Sequence, residues 1–172
     1  MFFLKSTHLY NQFFITTNKD FLNLDVIEQF ICHESYWGQG MNRDLIVKSI
    51  ENSNVCFGLF DGNPQEDSSA KQIGFARVIT DFVRFAYLAD VFVIKEYRGK
   101  GLSKWLIETI VSEPTLKGAA FHLTTRDAHS LYEKFGFRPI DHPENRMLRP
   151  LNMEQIHETY QKATDGFSGR TR

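Results

Sequence analysis

Leu88-Ala89-Asp90-Val91-Phe92-Val93-Ile94-Lys95-Glu96-Tyr97-Arg98-Gly99-Lys100-Gly101-Leu102-Ser103-Lys104-Trp105-Leu106-Ile107 changes character three times in a short span. An apolar, β-branched run ends at Ile94, a charged turn carries Arg98-Gly99-Lys100-Gly101, and an amphipathic pattern follows. In that last part Leu102, Leu106 and Ile110 fall on one helical face, and Lys104 and Glu108 form a same-face pair of opposite charge. The spacing predicts strand, glycine turn, helix. Such a turn leaves several backbone N–H groups unused at the positive end of the helix dipole, and its glycines let a ligand approach the backbone closely. It is an anion site, and phosphate is the anion it suits.

Glycine spacing narrows the ligand. A Walker loop needs a glycine where Ile94 stands, and Ser or Thr after its lysine where Gly101 stands. A dinucleotide fingerprint needs a third glycine where Lys104 stands. Neither pattern fits.

Val91-Phe92-Val93 followed by Arg98-Gly99-Lys100-Gly101-Leu102-Ser103 resembles the pyrophosphate loop of the GNAT superfamily of N-acetyltransferases, Arg/Gln-x-x-Gly-x-Gly/Ala after a Val-x-Val strand end. Ser103 stands where a final Gly or Ala is usual. A second resemblance lies at Ala128 through Phe137, the Ala-x-x-Leu-Tyr-Glu-Lys-x-Gly-Phe ending of GNAT domains. The resemblance covers roughly residues 12–150.

The resemblance implies an α+β (mixed α/β) fold, a mostly antiparallel sheet flanked by helices with a central βαβ coenzyme-binding unit. It also implies acetyl-coenzyme A as cosubstrate. The backbone of Val91, Phe92 and Val93 would pair with the pantetheine arm, and Arg98, Gly99, Lys100, Gly101, Leu102, Ser103 and Lys104 would hold the pyrophosphate. Family members often carry an asparagine seven residues before the motif tyrosine; Thr125 takes that place here as the coenzyme contact. The activity implied is transfer of acetyl to a primary amine of a small molecule or peptide by direct attack, with Tyr132 protonating the departing thiolate. A phenol, with its ordinary pKa near ~10, is a reasonable proton donor to a thiolate. Asp90, a carboxylate interrupting an apolar strand, is the candidate base, because burial raises a carboxyl pKa toward that of a proton acceptor. Tyr87 stands where some relatives carry a glutamate base. A non-catalytic acyl-coenzyme A binding module is the alternative, and a larger acyl donor such as succinyl stays open.

Around this centre the chain reads as one domain over 1–172, with a polar extension over 151–172. Apolar residues make up 42% and charged residues 24%, the balance of a globular protein. The net charge of −1, with no basic block, argues against a nucleic-acid partner. Met1-Phe2-Phe3-Leu4-Lys5 lacks the pattern of a leader, and no later run approaches the ~20 apolar residues of a membrane span, so no membrane partner and a cytoplasmic location are expected. A homodimer is compatible with the sequence. Cys32 and Cys56 read as buried thiols. No pair of histidines has metal spacing, and no metal is expected.

Gln12–Thr17 reads as the opening strand, and Asp25 with Glu28 has capping-box spacing before a helix running to about His33. Ser35-Tyr36-Trp37-Gly38-Gln39-Gly40 separates it from a second helix starting near Asn42. Tyr36 and Trp37 are the candidate acceptor contacts, with His33 beside them as a minor proton-acceptor candidate. Val55–Phe60, Ile73–Ile79 and Phe85–Val93 make an antiparallel meander, and Ala119–Thr124 a buried strand parallel to the last of them. Asp127–Phe137 is a short helix capped by Thr125 or Asp127 and stopped at Gly136. Arg146–Arg149 reads as a last short strand, 152–163 as a polar helix, and 165–172 as a flexible end.

Overall fold

The computed structural model describes residues 5–167, and side chains as far as Tyr160. The chain divides into two compact units, Met1–Arg138 and Pro139–Arg172. The first holds a six-stranded sheet in sequence order: β1 Thr7–Tyr10, β2 Phe13–Thr16, β3 Val55–Asp61, β4 Lys71–Thr80, β5 Phe85–Val93 and β6 Ala120–His122. Every neighbouring pair is antiparallel except β5 and β6. The mixed, mostly antiparallel sheet and the parallel strand-helix-strand unit expected from sequence are therefore present. The helices are α1 Leu24–Glu28, α2 Arg43–Glu51, α3 Leu102–Ser112 and α4 His129–Tyr132.

Alternation along the strands feeds two cores. Val55, Phe57 and Leu59 join Leu102, Leu106, Ile107 and Ile110 of α3, while Cys56 and Phe75 join Ile27, Phe30, Ile46 and Ile50 of α1, its extension and α2. Leu102, Leu106, Ile107 and Ile110 are all at most 1% exposed, so the stripe read from sequence is the buried face of α3.

One irregularity positions the site. Phe75 pairs with Phe92 but Arg77 with Ala89, so β5 carries an extra residue there. Asp90 lies in that bulge with φ 53, a left-handed conformation that Asp tolerates better than most residues. One extra residue flips the alternation. Leu88 consequently faces the α3 core, whereas Phe92 lies in the α1 and α2 core.

Several local expectations change. β1 is an additional strand, closed onto β2 by Asn11 at φ 54. The cap of α1 is Asn23, whose side-chain oxygen accepts from the Asp25 and Val26 amides, rather than the Asp25 and Glu28 box. The helical path then continues to Glu34 as a π turn, Gln29–Glu34. β6 is shorter than 119–124 and half-buried rather than buried, since it lies at a sheet edge.

The second unit has a 3-10 turn at Pro143–Asn145 and helix α5 Met153–Phe167, capped by Asn152 Oδ1 accepting from the Gln155 amide at 2.9 Å. Arg146–Arg149 forms no strand; Met147 and Leu148 are exposed, and nothing in that stretch supplies ladder partners. Residues 165–167 are helical, contrary to the flexible end expected there. Residues 168–172 and 1–4, to which expectations about a tail and a leader were attached, lie outside the described residues. No helix among the described residues is long and apolar enough to cross a membrane.

Candidate active site

β6 pairs β5 only from Phe85 to Tyr87, and β5 continues to Val93. Beyond Tyr87 the β5 edge that faced β6 has no strand against it among the described residues, so its peptide groups are available to an extended ligand. Val91, Phe92 and Val93 lie along this edge, with Phe92 and Val93 side chains buried.

At the end of β5 the chain makes a 3-10 turn, Lys95–Tyr97, and enters the glycine loop. Arg98 folds back, its Nε donating to the Val93 carbonyl at 3.0 Å, which ties the loop to the strand end. Lys100 Nζ sits 4.6 Å from the centre of the Tyr97 ring, and the Tyr97 hydroxyl donates to Asp61 at 2.8 Å. Gly99 and Gly101 have φ of 79 and 80, and a Cβ built on either would meet no atom within 4 Å. The positive φ calls for glycine here, and the absence of side chains leaves the space above the turn open. Gly101 is the N-cap of α3 and offers no side chain to the first-turn amides of Leu102, Ser103 and Lys104. This is a backbone cradle at the start of an 11-residue helix, with the chemistry of an anion site.

The other part of the site is made of side chains. Ser35 Oγ donates to the Ile31 carbonyl at 2.7 Å and accepts from the Gly38 amide at 3.0 Å, which shapes the aromatic loop. Gly38 packs so closely that a Cβ would stand 2.0 Å from the Ile31 oxygen. The loop holds Tyr36 edge-on to Trp37, with ring centres 4.9 Å apart, and Trp37 lies 6.2 Å from Phe30. Phe30 in turn stacks on Phe92 at 4.0 Å, so this wall rests on the open part of β5.

Tyr36 reaches across to the connection between β6 and α4. Its hydroxyl accepts from the Arg126 amide at 2.9 Å, and the Arg126 guanidinium carbon stands 3.8 Å from its ring centre. Thr125 Oγ1 accepts from the Ala128 amide at 3.1 Å. Neither Thr125 nor Asp127 caps α4, whose N-cap is Ala128 without a side-chain cap bond; Thr125 instead holds the Ala128 amide, and its hydroxyl keeps a proton to donate. Gly136 ends the following 3-10 turn at φ 82, as the spacing predicted.

Tyr132 is 8% exposed, with its ring 5.6 Å from that of Phe137. Burial first, then the neighbouring Tyr36 and Asp127, push its phenol up to about 12. Tyr36 and Tyr132, 96 residues apart in number, thus lie within electrostatic reach of each other.

Asp90 does not stand free. Arg77 Nε donates to its carboxylate, Arg77 also donates to Ser53 Oγ at 3.2 Å, and both ion-pair side chains are largely buried. The Tyr87 hydroxyl donates to Thr124 Oγ1 at 3.2 Å, bridging β5 to the residues just beyond β6. His33 and His129 are exposed, and His122 stacks on Phe85. Cys56 is buried, as expected, and burial pushes its thiol up to about 11; Cys32 is only half-buried. A cavity of about 510 Å³ adjoins the loop at Ile94 and Tyr97, lined also by Phe60, Lys71 and Gln72, and does not reach Tyr36 or Tyr132.

Sequence reasoning missed Arg126 and Arg77. Arg126 is an unremarkable exposed position two residues before the second motif, and Arg77 lies in a strand whose register with Asp90 depends on the bulge.

A sheet with one parallel edge pair, a glycine turn where the longer strand ends and a helix starting from that turn define a mixed α/β fold with one strand-helix-strand unit. The family description "Acetyltransferase (GNAT) domain" matches residues 54–139, and the chain belongs to that family. A crystal structure described as a putative acetyltransferase belonging to the GNAT family, from Xanthomonas campestris pv. campestris, is 37% identical, covering 81% of this chain and 93% of its own, with TM-score 0.73. "Putative acetyltransferase FG08082" of Gibberella zeae is 26% identical over 142 residues, 73% of this chain and 79% of that protein. A GNAT family acetyltransferase from Elizabethkingia anophelis, solved with acetyl-CoA bound, shares the fold at 12% identity, with TM-score 0.54 over 83% of this chain and 90% of its own.

Proposed function

We propose that the protein is an acetyl-coenzyme A dependent N-acetyltransferase acting on a primary amine of a small molecule or peptide. The observation that carries this reading is the continuity of one ligand track. An open β5 edge over Val91 to Val93 leads into the cradle of Gly99 to Lys104, with Tyr132 and Tyr36 beside it. The coenzyme, when bound, supplies an activated acyl group whose transfer needs no covalent intermediate on the protein, so orientation supplies much of the rate.

In this reading the amides of Gly99, Lys100, Gly101, Leu102, Ser103 and Lys104 hold the pyrophosphate, Arg98 fixes the loop that presents them, and Thr125 offers its remaining proton to the pantetheine arm. Tyr36 and Trp37 contact the acceptor. Tyr132 donates its hydroxyl toward the departing sulfur. With the phenol at about 12 and an ordinary thiol near ~8.5, complete proton transfer is uphill by about 5 kcal/mol. Tyr132 therefore acts mainly by holding a hydrogen bond to the developing thiolate, and the proton lost by the amine nitrogen is the one that finally resides on sulfur. Asp90, committed to Arg77, holds the bulge in β5, and the amine enters neutral from solvent.

The test is to follow thiol release and acetylated product when the purified protein, acetyl-coenzyme A and a panel of primary amines are combined. Turnover with at least one amine supports the enzyme. Tight coenzyme binding with no turnover across small amines and peptides favours the non-catalytic binding module.

A further inference from the structure

Tyr36 and Arg126 do more than join two segments. The Arg126 backbone amide and its guanidinium engage the same tyrosine, the first at the hydroxyl and the second over the ring. A guanidinium stacked in this way uses its face and leaves the N–H donors around its rim to point outward in the plane. Among the described residues these donors meet no carboxylate. No ion pair there joins Arg126 to a carboxylate, the adjacent Asp127 included, whereas Arg43 pairs with Asp25 and Glu28 and Arg77 with Asp90. A bracing role would be met by the backbone bond alone. What the stacked side chain adds is a charged fork, ordered in advance, at the wall that neighbours Tyr132.

Resting on the reading above, we propose that the acceptor is an amine that also bears a carboxylate, with the Arg126 guanidinium as the group that recognises that carboxylate. A planar fork of donors matches two carboxylate oxygens side by side, and pre-ordering on Tyr36 reduces the rotamer entropy lost when they meet. The fork orients the acceptor from its anionic end and leaves its amine to face the transferred acyl group. Arg126 is thus a specificity-determining residue and takes no part in moving protons.

The experiment uses the full chain and paired acceptors: the common L-amino acids and the ω-amino carboxylates from β-alanine to 6-aminohexanoate, each beside its carboxamide, with phosphoethanolamine as a separate arm. A charged hydrogen-bonded pair implies that the favoured carboxylate exceeds its carboxamide by at least about tenfold in kcat/KM. Arg126→Gln should erase that preference by raising KM for the carboxylate, leaving kcat and acetyl-coenzyme A affinity little changed, and Arg126→Lys should restore part of it. Thermal unfolding should change little in either variant, since the hydrogen bond to Tyr36 is made by the backbone and only an exposed ring stack is lost. Equal rates within pairs, a preference for carboxamides or for phosphoethanolamine, or a preference that survives Arg126→Gln would overturn the proposal. Acetyl-coenzyme A binding with no turnover of any pair would overturn it too, whereas absence of coenzyme binding would overturn the transferase reading beneath it.

Discussion

The glycine cradle and the aromatic wall, the two halves of the proposed site, are built by different means. The cradle spans Arg98 to Lys104, and its ligand groups are peptide amides oriented by two positive-φ glycines and a helix start. The wall joins Tyr36, Arg126 and Tyr132 from separate segments, and its groups are side chains held by one hydrogen bond, one ring stack and burial. A site made of backbone depends on local conformation and tolerates change in most side chains around it. A site made of side chains depends on tertiary contacts, and each member is replaceable at a cost to the reaction or its specificity. The cradle should therefore govern coenzyme affinity, and the wall turnover and acceptor choice.

The sharpest way to break this division is Tyr132→Phe. Loss of the hydroxyl should lower kcat by about a hundredfold, the lower end of what one hydrogen-bond donor to a developing anion contributes, with coenzyme affinity unchanged in titration. A matching loss of affinity would merge the two halves. The same variant reports the phenol's environment. Because folding raises this pKa from 10 to about 12, the wild type's advantage from it is complete below pH 10 and fades as pH rises through about 12. Denaturation of wild type and Tyr132→Phe should therefore show the stability difference shifting toward the variant over that interval alone.

Asp90→Asn comes next in size and belongs to the scaffold common to both halves. Asparagine tolerates the left-handed bulge, so the change isolates the charge, leaving the largely buried Arg77 with Ser53 alone. A loss of about 2 kcal/mol, seen as a melting temperature lower by about 4 to 8 °C, is expected, with kcat falling far less than in Tyr132→Phe. A collapse of kcat in a stable variant, with a lost acidic limb of the pH profile, would return Asp90 to the role of base.

Gly101→Val places a side chain in the open cradle and in a backbone region that β-branched residues avoid. Affinity for acetyl-coenzyme A should fall about tenfold, with kcat at saturation nearly preserved. Tyr36→Phe is the mildest: it removes one acceptor for the Arg126 amide and leaves the ring stack, so KM for the acceptor should rise about threefold with coenzyme affinity intact.

The same contrast separates what was legible in the sequence from what was not. The meander, α3, the parallel return and the cradle all follow from short-range periodicity and glycine placement, and the structure has them where those signals lie. β1 escaped because Thr7 to Tyr10 is an edge strand with Leu9 64% exposed, so no apolar face announces it, and its turn at Asn11 is only a weak sign. The α1 cap was misplaced by two residues because Asn23, Asp25 and Glu28 all supply capping chemistry, and only the backbone decides which is used. Arg146 to Arg149 reads as a strand from its apolar pair Met147-Leu148, but among the described residues it joins no β-ladder. The aromatic loop was recognisable as a wall, yet its meeting with Arg126 and the pairing of Arg77 with Asp90 depend on tertiary register and a bulge, which no local pattern encodes.

The most direct test of the central claim is calorimetric titration of the full chain with acetyl-coenzyme A, coenzyme A and, as a phosphate-bearing control, NADPH. Micromolar binding of the first two, lost in Gly101→Val, with none of the third, is the predicted result. No binding of acetyl-coenzyme A, or binding of NADPH at equal strength, would contradict the assignment of the glycine turn as a coenzyme A pyrophosphate site.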